Sequence, residues 1–298
     1  MADNSAHEII RHYTQADEAS RLRTGWFQLE HARTQELILR HIQSAPARVL
    51  DVGGGAGAYA CWLASLGYEA HLIDPVPSHI DQARAASAQQ PQHPLASAVV
   101  GDARQLQHAQ QTADAVLMLG PLYHLTRRND RLAALREAHR VLRPGGLLWA
   151  AAISRFASLL DSLSNGFFDR PEFVPILERD LAEGQHRNPT GSLIYFTDAF
   201  FHLPDELAAE LLEAGFKQVD LVAIEGPGWL ARDFDRLWNL PEQRERLLAS
   251  VRKVEHDPRP ARGKLPHSRH RAKVRKRQPV ASPSPLRLFL ETTLNLPT

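Results

Sequence analysis

The stretch "VLDVGGGAGAYA", Val49 to Ala60, sets glycine at four of the five positions from Gly53 to Gly57. A strand-like run precedes it and a helix-like run follows, so the chain passes from strand to helix through a loop that admits a close-lying ligand. From about Arg48 onward, short β-rich runs alternate with longer helical patterns, the signature of a doubly wound parallel sheet. The strands expected are "RVLDV" (48–52), "EAHLID" (69–74), "ASAVVG" (96–101), "DAVLML" (114–119), "GLLWAAAI" (146–153) and "KQVDLVAIE" (217–225). Helices are expected over Tyr59–Leu66, ended by Gly67, over Ser78–Gln90 with Ser78 as N-cap, and over Asn129–Leu142, ended by "RPGG".

Two regions break the alternation. Residues 154–203 exceed an ordinary connection and hold half of the chain's Phe and Tyr residues, which predicts an insertion with its own helices. From Asp257 the chain turns basic and proline-rich, and reads as disordered. The expected organisation is an N-terminal helical cap (1–44), a ligand-binding core (45–153), an insertion (154–203), the C-terminal part of the core (204–256) and a basic tail (257–298). With 298 residues, 43% of them apolar, one elaborated α/β domain fits best. A formal charge of +1 gives no overall pull toward nucleic acid or an anionic membrane. The single cysteine, Cys61, excludes an internal disulfide, and neither a signal-peptide core nor a long apolar run is visible. These features predict a soluble cytoplasmic protein with no membrane partner; no metal site and no oligomeric state follow from them. Cys61 is expected to be a small core residue, since a nucleophile needs a lowered pKa.

Glycines at a helix start suit a pyrophosphate, but Gly53, Gly55 and Gly57 give G-x-G-x-G rather than G-x-G-x-x-G. Asp51, at the strand end, repels a phosphate and accepts a hydrogen bond from an ammonium group, directly or through water. Asp74 ends the next strand, where a carboxylate accepts ribose hydroxyls. Asp102, in "GDA", is placed to accept from an adenine amino group. Ammonium, ribose and adenine in that order describe S-adenosylmethionine.

Over residues 45–152 the chain resembles the class I S-adenosylmethionine-dependent methyltransferases, through "VLDVGGGAG", "LIDPVP", "GDA", "ADAVLMLGPLYHL" and "ALREAHRVLRPGGLLW". The resemblance implies a Rossmann-like α/β sheet. It implies that Gly53 and Gly55 pack against the methionine part, with Gly54 and Gly57 in the same loop. Asp74, with Pro75 beside it, would bind the ribose; Asp102 and Ala103 would border the adenine; Leu119 and Gly120 would face the cofactor. A narrower resemblance, through "HYTQADEASRL", "LEHARTQELILRHI", "AAISRFASLLD" and "IEGPGW", is to a bacterial subgroup of small-molecule methyltransferases. There an N-terminal helical segment covers the cofactor, which makes Tyr13, Arg21 and Arg33 candidates to touch it. Solvated helix charges are the alternative for both arginines.

Methyl transfer from a sulfonium is an in-line displacement, so the protein mainly aligns the reactants in a dry pocket. The loop after the fourth strand should face the methyl, which singles out Tyr123 and His124, with His124 as a general base. Its alternative is a helix cap. Tyr195, Phe196, Phe200 and His202 of the insertion are expected to line the acceptor pocket; the alternative is that they form the insertion's own core.

The basic residues from Arg259 to Arg277 raise an RNA methyltransferase as a rival, although the aromatic platforms of RNA reading are absent from the tail. A nicotinamide-dependent dehydrogenase and a cofactor-binding protein without activity are the other rivals. The class I fold ends in an antiparallel seventh strand, which the subgroup places soon after a stretch like "VEHDP". Here charged residues stand in its place, and "PLRLFLETTL" (285–294) is the only late apolar run. This predicts a change of reading frame near Asp257, a non-native tail and a sheet lacking its seventh strand.

Overall fold

The computed structural model describes residues 21–256 and the backbone of residues 287–293. Strands β1 (Arg48–Val52), β2 (Glu69–Asp74), β3 (Ser97–Val100), β4 (Ala113–Met118) and β5 (Leu142–Ser154) form the parallel body of the sheet, in the order β3-β2-β1-β4-β5. Helices α1 (Phe27–His41), α2 (Ala58–Ser65), α3 (Pro77–Ala88), α4 (Pro121–His124) and α5 (Arg128–Val141) accompany them. Helix α3 starts at Pro77 with extended Val76 as its cap, so Ser78 lies within the first turn and is not the N-cap. Proline presets the helical φ there and gives up only an amide that has no helical partner.

The strands are almost continuously apolar because both faces are covered. Period-two alternation sorts them: Leu50, Val116, Leu148 and Ala150 pack beneath Leu135 and Ala138 of α5, while Val49, Leu117 and Trp149 pack beneath Ile38 of α1 and Leu63 of α2. All are essentially fully buried.

The expected absence of a seventh strand is corrected by the structure. Beyond β5, residues 155–203 form α6 (Ala157–Asn165), α7 (Val174–Glu183), and the short strands β6 (Gln185–His186) and β7 (Ala199–His202). Helix α8 (Pro204–Glu213) leads to β8 (Gln218–Ala223), and β9 (Arg287–Thr293) lies antiparallel between β5 and β8. The late apolar run therefore supplies the seventh strand, and the chain from 287 to 293 is part of the sheet. The seven strands run β3-β2-β1-β4-β5-β9-β8, with β9 alone reversed. The basic stretch Arg259–Arg277 lies outside the described residues.

Two additions shape the carboxyl ends of the strands. Strand β7 pairs in parallel with Ile153 and Ser154, past the end of β4, and so brings the insertion beside α4. Residues after β8 form α9 (Phe234–Asn239) and α10 (Pro241–Arg252), whose Phe234, Trp238 and Val251 pack on Leu29 of α1. Among the described residues no helix is long and apolar enough to cross a membrane, and no cluster of side chains is arranged to hold a metal ion.

Candidate functional site

A cavity of about 530 Å³ opens at the carboxyl ends of β1, β2 and β4. The glycine loop, Asp51, Asp74, Pro75, Asp102, Ala103, Leu119, Gly120, Tyr123 and His124 all border it, as does Arg21 from the start of the cap.

Three of the loop's amides are engaged within the fold. Gly53 N–H donates to Ile73 O (2.7 Å), Gly55 N–H to Asp74 Oδ2 (2.9 Å) and Gly57 N–H to Gly54 O (3.0 Å). A phosphate cradle needs free N–H groups, and these three are not free. Its glycines are required by close packing. Gly53 has φ +68°, and a Cβ there would sit 2.5 Å from Pro121 Cγ. A Cβ on Gly54 would fall on the Asp51 carboxylate and 2.6 Å from Leu72 Cδ1. The loop thus lies flat on the strand ends and leaves the cavity open above Asp51.

Asp51 is the electrostatic centre. Its side chain is buried, Oδ2 accepts from Ala60 N–H (3.1 Å), and Oδ1 accepts no hydrogen bond among the described residues. Burial, reinforced by the neighbouring Asp74 charge, pushes its carboxyl up to about 7. Such a group is completed by a ligand that brings both a cation and donors.

Asp74 is also buried, but Gly55 N–H, Val76 N–H (2.9 Å) and His79 Nδ1 (3.0 Å) already surround its carboxylate. About four lone-pair sites minus three donors leaves room for one more hydrogen bond. Asp102 is half-exposed and held in a fork by Arg104, whose Nη2 approaches Oδ2 to 2.6 Å. Burial works to raise the Asp102 carboxyl, but the Arg104 side chain and amide outweigh it and hold it below its ordinary value.

On the cap side, Arg21 borders the cavity while its guanidinium is held by Glu30 (2.8 Å). Arg33 does not reach the cavity, which corrects its assignment. It is fully buried, donates to Ile224 O (3.2 Å) and pairs with Glu36 and Glu255, tying α1 to the segments before and after α9 and α10. Tyr13 lies outside the described residues. The sequence reading missed His31 and Gln35 of α1, and Tyr59 and Trp62 of α2, which border the cavity. The i, i+4 spacing of His31 and Gln35 was the available signal, since it places them on one helix face. Cys61 also borders the cavity, and burial, with the Asp51 charge, raises the pKa of its thiol.

At the other end, the Tyr123 and His124 rings lie 4.5 Å apart, and Phe196 faces His124 at 5.8 Å. Of the four insertion residues expected at the acceptor, Phe196 alone reaches this loop. Tyr195 packs with Phe167 and Phe173 and donates through its hydroxyl to Glu172 (2.9 Å). Phe200 and His202 are elsewhere, a second correction. Phe200 lies 3.7 Å beneath the Arg131 guanidinium, and His202 Nε2 meets Glu210 (3.4 Å), within the buried Arg131–Glu210 pair that joins α5 to α8. Side chains alternate along β7, but its inward face meets this ion pair instead of the cavity.

Residues 50–150 match the methyltransferase domain family. An uncharacterized methyltransferase of Mycobacterium tuberculosis is 35% identical over 107 residues, 36% of this chain and 40% of that protein's length. A ubiquinone/menaquinone biosynthesis C-methyltransferase of Cereibacter sphaeroides is 29% identical over 175 residues, 57% of this chain and 66% of that one. The crystal structure of an S-adenosylmethionine-dependent methyltransferase from Methanosarcina mazei superposes with a TM-score of 0.53 at 18% identity, covering 88% of this chain and 98% of that chain; the likeness is one of fold.

Proposed function

We propose that this chain, by its domain and fold a class I S-adenosylmethionine-dependent methyltransferase, transfers a methyl group to a small-molecule acceptor by in-line displacement. The observation that carries the cofactor half of this reading is Asp51, a buried carboxylate with one bare oxygen beside a glycine loop that has three of its amides engaged within the fold. An α-ammonium supplies both the charge and the donors that Asp51 needs, and a pyrophosphate supplies neither. This arrangement favours an adenosyl amino acid over a dinucleotide.

Asp74 receives a ribose hydroxyl at its remaining acceptor site, Asp102 and Ala103 border the adenine, and Arg21 borders the same cavity. S-adenosylmethionine, when bound, supplies a methyl group on a sulfonium centre whose thioether departs without a general acid. The residues of this chain then align the acceptor and keep water out. Leu119, Gly120 and Tyr123 border the cavity beside His124, a ring nitrogen of which takes a proton from an acceptor that begins protonated. The biosynthetic role of the Cereibacter relative supports a small-molecule acceptor.

Screening an acceptor library for S-adenosylhomocysteine release tests the reading. With the acceptor so found, His124→Ala should lower turnover by ~10²-fold or more and leave S-adenosylhomocysteine affinity unchanged. Unchanged turnover would remove His124 from proton transfer.

A further inference from the structure

We propose that Phe196 is a positioning residue for His124: a strained turn of the insertion, pinned by His186 and Asn188, holds its ring against the imidazole that borders the cavity. This rests on the methyl-transfer reading, in which His124 takes the acceptor's proton.

His124 is the last residue of α4, a single helical turn that gives its side chain little support. Neighbouring rings supply that support. Tyr123 lies 4.5 Å from the imidazole and Phe196 5.8 Å from it, tilted by 30°, both within the range of aromatic contact. Tyr123 and Phe196 belong to one apolar cluster with Ile153 of β5, Ala157 of α6 and Phe201 of β7. Phe196 does not itself border the cavity, so it reaches an acceptor through His124.

The backbone at this ring is strained. Phe196 has φ 62° and ψ 176°, a region that glycine alone occupies freely. A side chain stays there only where its surroundings over-determine the conformation, and residues 186–188 do so. Asn188 Nδ2 donates to Phe196 O (2.6 Å) and to Ser192 O (2.7 Å), while its Oδ1 accepts from Thr190 N–H (3.1 Å). His186 Nε2 donates to the preceding carbonyl, Tyr195 O (2.6 Å), and its Nδ1 meets buried Asp180 Oδ2 (2.7 Å). Asp198, just past the turn, accepts from Asn188 N–H (3.3 Å) and pairs with Arg187 (3.6 Å).

Two consecutive carbonyls of the turn are thus held by side chains from β6 and the residues after it. Glycine at 196 would adopt this backbone without strain but would bring no ring to His124. The strain is what places the ring.

The first arm of the test needs no acceptor. The full chain is labelled in its histidine rings for NMR, and the His124 signal is identified by its loss in His124→Gln. Asn188 hydrogen-bonds to the turn and not to His124, yet Asn188→Ala should move the His124 signal in the direction that Phe196→Leu moves it. Phe196→Gly should melt at least about 3 °C above Phe196→Ala, because alanine retains the strain and glycine does not. The second arm uses the acceptor that the release screen identifies. Phe196→Leu and Asn188→Ala should each lower kcat about ten-fold and leave KM for S-adenosylmethionine unchanged, whereas Phe196→Tyr, which keeps the ring, should keep most of the turnover. An unmoved His124 signal in Asn188→Ala, an alanine variant that melts as high as the glycine one, or turnover left intact by Phe196→Leu overturns the proposal. If Asn188→Ala fails to fold, the Phe196 variants decide. The two readings fail separately: turnover of an acceptor that is indifferent to Phe196 overturns only the positioning role. Absence of S-adenosylhomocysteine release with every acceptor overturns the methyl-transfer reading, and the first arm then decides by itself whether the turn positions His124.

Discussion

Asp51→Asn is expected to stabilise the free protein above neutral pH and to destroy its affinity for the adenosyl ligand. Burial raises this carboxyl from its ordinary value of 3.8 to about 7. Between those values the unfolded chain has given up its proton while the folded one keeps it, so stability falls as pH rises and the full cost is reached above pH 7. Asparagine carries no charge and still accepts from Ala60 N–H. The variant should therefore match the wild type near pH 4 and exceed it by roughly 2–4 kcal/mol at pH 8, read from urea unfolding at the two pH values. Its loss at the site has the opposite sign: removing the charge opposite an ammonium should weaken S-adenosylhomocysteine at least ~30-fold. A variant that gains stability and keeps its affinity would mean that Asp51 does not meet the ligand.

Ending the chain before Arg287 should have a still larger effect. Strand β9 is internal, paired from Arg287 to Thr293 with β5 and from Leu288 to Thr293 with β8. Its removal strips hydrogen-bond partners from two strands at once, one of them at the centre of the fold. Most of a domain's net stability of ~5–15 kcal/mol should be lost, so the truncated protein is expected to show no cooperative thermal transition and to aggregate. A truncated chain melting within a few degrees of the intact one would mean that β9 contributes little to the sheet.

The parallel body of the fold was legible because each strand is a short apolar run closed by turn residues, and each helix repeats its apolar positions at helical spacing. Asp51, Asp74 and Asp102 were legible for a related reason: strand ends at a sheet's carboxyl edge have only one side on which to gather. The last strand was not. More than sixty residues separate β8 from β9, and a charged stretch occupies the interval, so local patterning had no means of joining them. Arg33 misled because an arginine in an amphipathic helix reads as exposed or ligand-bound; its partners Ile224 and Glu255 lie about 190 and 220 residues away. Phe200 and His202 misled because proximity in sequence to Phe196 does not carry across a strand. A polar residue on β7 was as able to meet a buried ion pair as a ligand, and Arg131 and Glu210 decided the matter.

The central claim is that a buried carboxylate with one bare oxygen, Asp51 beside the glycine loop, selects an adenosyl amino acid. Isothermal calorimetry of the intact chain with S-adenosylmethionine, S-adenosylhomocysteine and NAD tests it most directly. The account predicts one-to-one binding of both adenosyl ligands and no heat with NAD. No heat with either adenosyl ligand, or NAD bound in competition with them, would contradict it.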